Sequence, residues 1–175
     1  MPSGRTHEAI NLTALGLLSA GYLYGRTQGY GPPDEWAFAF VGGYLVGTFL
    51  ITPDLDLAER RVTAKRYWGV LGWLWVPYGL LFRHRGWSHT WIVGPLSRLA
   101  YLVLLLYLLG WVAGGAAEAL GVRWSLNAEL ERLSPGVLWG ALVGYYVSQW
   151  MHLIADGIAP DHAFKRRASG RRRYR

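Results

Sequence analysis

Seven side chains able to ligate a metal fall in four short motifs: His7; Asp54 and Asp56 in Thr52-Pro-Asp-Leu-Asp-Leu57; His84 and His89 in His84-Arg-Gly-Trp-Ser-His-Thr90; and His152 with Asp156. The chain has no Cys, so disulfides, thiol chemistry and thiolate ligation are excluded, and a metal must be held by imidazole and carboxylate. A neutral imidazole paired with a carboxylate is either two ligands or a ligand with the group that orients it. Asp-x-Asp adds one terminal and one bridging carboxylate. A mixed set of this kind suits a divalent Zn, Fe or Mn ion better than Mg or Ca, which prefer all-oxygen sites. Seven candidates suffice for two ions, and one ion with supporting residues fits as well.

Each motif alone has a plainer reading. His7 could cap a helix, Asp54 and Asp56 could form a turn and a helix N-cap, and His84 and His89 could belong to a basic interfacial loop. His152 and Asp156, spaced i and i+4, share a helix face and could make a hydrogen bond between helices. Their joint placement depends on the elements that carry them. The chain is 52% hydrophobic and only 17% charged, against about 25% charged in typical soluble domains. This argues against disorder and against an ordinary soluble enzyme. The charges leave uncharged runs of 17 residues (9–25), 18 (36–53), 16 (67–82), 19 (99–117) and 23 (133–155). Crossing a bilayer takes roughly 17 to 25 apolar residues. Four runs therefore read as spans. The run at 67–82 holds Pro77 and five Trp or Tyr residues, the composition of the membrane–water boundary, and reads as an interfacial or re-entrant helix.

The expected fold is all-α: a helical integral membrane protein with about four transmembrane helices and one interfacial or re-entrant helix. Residues 1–163 form a single membrane-embedded domain. Residues 164–175 form a basic tail expected to be disordered, rich in Arg and suited to anionic lipid rather than nucleic acid. A signal peptide at the N-terminus is disfavoured by the poor cleavage pattern around Ser19-Ala20-Gly21. Four spans put fourteen Lys and Arg on one side and three (Arg26, Arg123, Arg132) on the other, so both termini are expected in the cytoplasm of a multi-pass protein of the bacterial inner membrane. Arg98, near the start of the third span, is expected to snorkel outward. This topology, drawn from Lys and Arg alone, brings all seven candidate ligands to one membrane face.

Ser3-Gly-Arg-Thr-His7 with Asn11, Pro53-Asp-Leu-Asp56, His84-Arg-Gly-Trp-Ser-His-Thr90 and His152-x-x-x-Asp156, in that order over residues 3 to 160, resemble the bacterial family of uncharacterised membrane metal-binding proteins. That family is related to the LexA-regulated membrane-bound metal-dependent hydrolases. The resemblance implies a helical membrane protein with a His/Asp metal site and a hydrolase activity on an undefined substrate.

If a metal is bound, a hydrolytic reading follows. Asp56 or Asp156 would be the general base, and Arg83 and Arg85 would bind an anionic group. A site at the lipid boundary suits an amphipathic phosphate substrate whose tail stays in the bilayer. Two alternatives stand beside it: a metal-binding protein without catalysis, such as a sensor or transporter component, and a purely structural membrane protein.

Overall fold

The computed structural model describes residues 3–57, 63–82, 86–122 and 134–160, and every regular element among them is helical. Four long helices dominate: α1 (Gly4–Thr27), α2 (Asp34–Phe49), α5 (Val93–Ala119) and α6 (Pro135–Ala155). Their ends follow from local chemistry. Ser3 Oγ accepts the Thr6 amide and Ser134 Oγ the Val137 amide, so two helix N-termini are capped by hydroxyls. Pro135 occupies the first turn of α6, where a missing N–H costs nothing. Asp34 and Glu35 complement the positive end of the α2 dipole. At the end of α6, Gly157 adopts φ +70°, which lets the Ile158 amide turn back to the Leu153 carbonyl.

α2 and α6 run parallel and touch backbone to backbone. Gly43 and Gly47 on α2, and Gly140 and Gly144 on α6, form two facing Gly-x-x-x-Gly pairs. A Cβ on Gly144 would lie 2.0 Å from the Phe40 carbonyl oxygen, and one on Gly43 would lie 1.9 Å from that of Ala141. Only a bare Cα permits such an approach, the usual device for close helix contact inside a membrane. α1 and α5 run the opposite way to α6, so two helix starts and two helix ends meet at one end of the bundle: His7 of α1 is beside Asp156, and Arg98 of α5 is bonded to Gln149.

Two segments are long and apolar enough to cross a membrane, Asp34–Asp56 and Val93–Ala119. The reading of four spans is therefore met in part. At 24 and 21 residues, α1 and α6 reach about 36 and 32 Å at ~1.5 Å per residue. They carry Glu8 and Asn11, and Ser148, Gln149 and His152, which dilute their apolar character.

The run at 67–82 holds one short apolar helix, Gly69–Leu81, that changes from 3₁₀ to α within it. The run lies across the end of α3 (Thr63–Tyr67), a 3₁₀ segment at Gly69–Trp75 and α4 (Val76–Leu81). Gly69, at φ +56°, breaks the path after α3. Trp75 and Tyr78 are fully buried with Ile51, Leu55, Ala64 and Tyr145, whereas Val70, Trp73, Leu80 and Leu81 point outward. The excursion leaves from Asp56 and returns to His89, whose side chains touch, so it begins and ends at the same place.

Candidate metal centre

His7 lies in the first turn of α1, and its ring stacks on that of His152 in the last turn of α6, with centroids 3.9 Å apart and planes 12° from parallel. Asp156 caps α6 one turn beyond His152. His7 Nε2 is 3.4 Å from Asp156 Oδ1, and His152 Nε2 is 3.6 Å from both Asp156 Oδ2 and Asp54 Oδ1. One ligand atom from each of His7, His152 and Asp156 can be chosen so that all lie within 4.8 Å of one another. Donors around a tetrahedral ion with bonds of ~2.1 Å stand about 3.4 Å apart, close to these separations.

His152 Nε2 and Asp156 Oδ1 are buried and have no hydrogen-bond partner among the described residues. Burying such atoms unsatisfied costs about 1–3 kcal/mol each, more if charged. A cation between them would relieve both, so the donor set fits a divalent ion. A cavity of about 10 Å³, lined by His7, Asp54 and His152, adjoins them. That volume is at the ~10 Å³ threshold for one water. Asp54 is the most exposed of these ligand candidates, with 21% of its side chain accessible.

The 3₁₀ turn Pro53–Asp56 divides its two carboxylates between two histidines. Asp54 faces His152, while Asp56 Oδ2 lies 2.9 Å from Nδ1 of His89, with both side chains fully buried. Leu55, between them, is buried in the apolar core and fixes the turn. Ser88 Oγ donates to the same Asp56 oxygen. An Asp56 carboxylate accepting from Nδ1–H sets the His89 tautomer and puts the ring's lone pair on Nε2. Lys65, also buried, donates to the Leu57 carbonyl. Burial pulls its ammonium below the usual lysine range, against the opposing pull of Asp56.

Of the sequence candidates, the structure therefore gathers His7, Asp54, His152 and Asp156 in one group and sets Asp56 and His89 beside it as a bonded pair. His84, Arg83 and Arg85 lie outside the described residues.

Of a polar layer one turn deeper, Asn11 stood out in its motif, while its partners did not. Asn11 Nδ2 donates to Thr48 Oγ1 and to the Ser148 carbonyl, both at 3.2 Å, while Tyr44 OH donates to the Asn11 carbonyl at 3.0 Å. Arg98 corrects the snorkelling expectation. It is fully buried, donating to the Ser88 carbonyl at 2.8 Å and to Gln149 Oε1 at 2.9 Å. Its side chain points into the bundle because Gly94, one turn earlier on the same face, lets α5 abut the Ser88 carbonyl. The available signal was spacing: Asn11 is i+4 from His7, and Gln149 is i−3 from His152.

No solved structure matches the chain. An uncharacterized protein of Aquifex aeolicus (strain VF5) is 40% identical over 70 residues, which is 40% of this chain and 48% of the relative. The matched part thus spans about half the relative's length. The family model that matches is described as "Uncharacterized metal-binding protein (DUF2227)", a description that states metal binding and no reaction. That match runs over residues 2–166, nearly the whole sequence and both groups of His and Asp, and the chain therefore belongs to this family of metal-binding proteins.

Proposed function

We propose that this chain is a membrane-embedded metal-binding protein that holds a divalent ion at the cytoplasmic ends of four crossing helices. The observation that carries this is the pair of buried atoms His152 Nε2 and Asp156 Oδ1, which make no hydrogen bond among the described residues and stand 3.4 to 3.6 Å from the opposing groups of His7, Asp54 and each other's residue. His7, Asp54, His152 and Asp156 are the proposed ligands, and His84 is proposed as a further one from its sequence motif alone. Asp56 orients His89 toward the same centre. The imidazole content favours Zn, Fe or Mn over Mg or Ca.

The membrane placement is supported by α5, whose Val103, Leu106, Tyr107 and Trp111 are each more than half exposed, an apolar surface that water would not tolerate. The alternating directions of α1, α2, α5 and α6 match an even number of crossings. The fourteen-to-three division of basic residues sets both termini on the bacterial cytoplasmic side, where the basic tail meets anionic lipid. Reporter fusions at Gly29 and Gly121 are expected to report the outer side, and a fusion at Arg175 the cytoplasm. A periplasmic C-terminus would overturn the placement.

A second reading is hydrolysis of a phosphate ester on an amphipathic substrate, for which the cavity beside Asp54 offers room for one water. When bound, the ion would lower the pKa of a water toward about 7. Ser88 and His89 hold Asp56 in an orienting role, which leaves Asp156 as the proton acceptor. Arg83 and Arg85 are the proposed anion-binding residues, with the substrate tail left in lipid.

One preparation tests both readings. Protein purified in detergent is expected to carry divalent metal, to lose it to a chelator and to lose it in acid as the ligands protonate, with His89→Ala as the weakened control. Metal-free protein at neutral pH would overturn the metal reading. Metal-loaded protein that forms no hydrolysis product from phospholipid and no free phosphate from polyprenyl phosphate would leave binding without catalysis.

A further inference from the structure

The geometry points to Arg98 as a positioning residue of the metal centre, fixing His89 through the peptide group that carries it. This rests on the metal-binding reading above. Arg98 Nη1 donates to the Ser88 carbonyl at 2.8 Å, and that carbonyl belongs to the peptide whose N–H is His89's own. The same oxygen stands 2.1 Å from where a Cβ on Gly94 would be, so the first turn of α5 closes on it directly. At the other end of the residue, Asp56 holds the ring nitrogen Nδ1 at 2.9 Å. His89 is thus gripped at its backbone by Arg98 and at its ring by Asp56.

The second arm of the guanidinium extends the hold to the other group. Arg98 Nη2 donates to Gln149 Oε1 at 2.9 Å, and Gln149 Nε2 donates to the Gly47 carbonyl at 3.0 Å. Gln149 lies three residues before His152, on the same face of α6. One planar fork therefore joins the elements that carry His89 and His152. Both acceptors are neutral oxygens, so the buried cation carries a desolvation penalty that an apolar side chain of similar size would not. Simple filling of that space would be served as well by Met. Lys keeps the charge but has a single head in place of the fork.

The test uses full-length protein in detergent with Co²⁺ as the probe, read by its visible absorption and by competition with a chelator. Arg98→Met and Arg98→Lys are expected to weaken Co²⁺ binding ~10- to 100-fold, the range typical of groups that orient ligands, and to alter the band intensities. In a His89→Ala background the same Arg98 changes are expected to cause a clearly smaller loss, the part that runs through Gln149. Thermal melts identify a variant that fails to fold, in which case Arg98→Lys, closer in charge and size, carries the comparison. Unchanged affinity and spectrum in a folded Arg98 variant, or an equal fold-loss in the His89→Ala background, would overturn the assignment. If wild-type protein takes up no Co²⁺, the metal-binding reading fails and this inference with it; uptake that is equal in wild type and Arg98→Met sinks this inference alone.

Discussion

Replacing His152 with Ala is expected to empty the proposed metal centre while leaving the yield of folded protein unchanged. His152 is the hinge of the group: its ring stacks on His7, and its Nε2 is 3.6 Å from both Asp54 and Asp156. Groups that only orient a ligand typically change affinity 10- to 100-fold, so loss of a central ligand is expected to exceed ~100-fold. Metal analysis of membranes solubilised in parallel checks it. Asp156→Asn is expected to act in the same direction with nearly unchanged volume, because an amide is a poorer ligand than a carboxylate. Its effect separates charge from packing. Full metal content in His152→Ala at wild-type yield would show that the ion, if held, sits elsewhere.

Two adjacent glycines on α2 are expected to give opposite results. Gly43→Ala puts a methyl group 1.9 Å from the Ala141 carbonyl oxygen, and the surrounding contacts at 2.6 and 2.8 Å are also backbone. No side chain can move aside, so α2 and α6 must part by more than an ångström. Overpacking of this kind costs about 1–3 kcal/mol and occasionally more, and the upper end is expected where rigid helices meet. Gly42→Ala, one residue earlier, meets nothing within 4 Å. It is expected to be neutral or stabilising by up to ~1 kcal/mol, the helix-interior penalty of Gly relative to Ala. Thermal melts of the two variants in one detergent decide the point; equal melting temperatures would contradict the packing of α2 on α6. Because Gly47 and Ser148 continue the same contact toward the centre, Gly43→Ala is also expected to loosen metal binding.

Much of the arrangement was legible in the linear pattern. The long uncharged runs marked the four long helices, and the motifs fell at their ends, where the structure gathers His7, Asp54, His152 and Asp156. The segment at 67–82 was read as one short interfacial or re-entrant helix, and a short apolar helix is present at Gly69–Leu81, but its internal change from 3₁₀ to α was not foreseen. Its aromatic content was visible, but the break at Gly69 and the inward turn of Trp75 and Tyr78 depend on the cavity left by α2, α5 and α6. Arg98 was misread for a related reason. A basic residue near a helix start reaches outward by default, and only the contact of Gly94 with the Ser88 carbonyl turns it inward.

The sequence by itself determined which chemistry is open to this protein, namely imidazole and carboxylate ligation without thiol, and at which helix ends it resides, because residue type and distance along a helix are one-dimensional properties. Only the tertiary structure decided that Asp54 serves His152 while Asp56 serves His89, that Asn11, Gln149 and Arg98 form a polar layer beneath them, and which of the 23 glycines set the spacing between α2 and α6. Those outcomes depend on the rotation of each helix about its own axis. A rotation of one residue, ~100°, would carry a side chain from the centre to the outer face of the bundle, and the close backbone contacts that fix it join residues about a hundred positions apart in the chain.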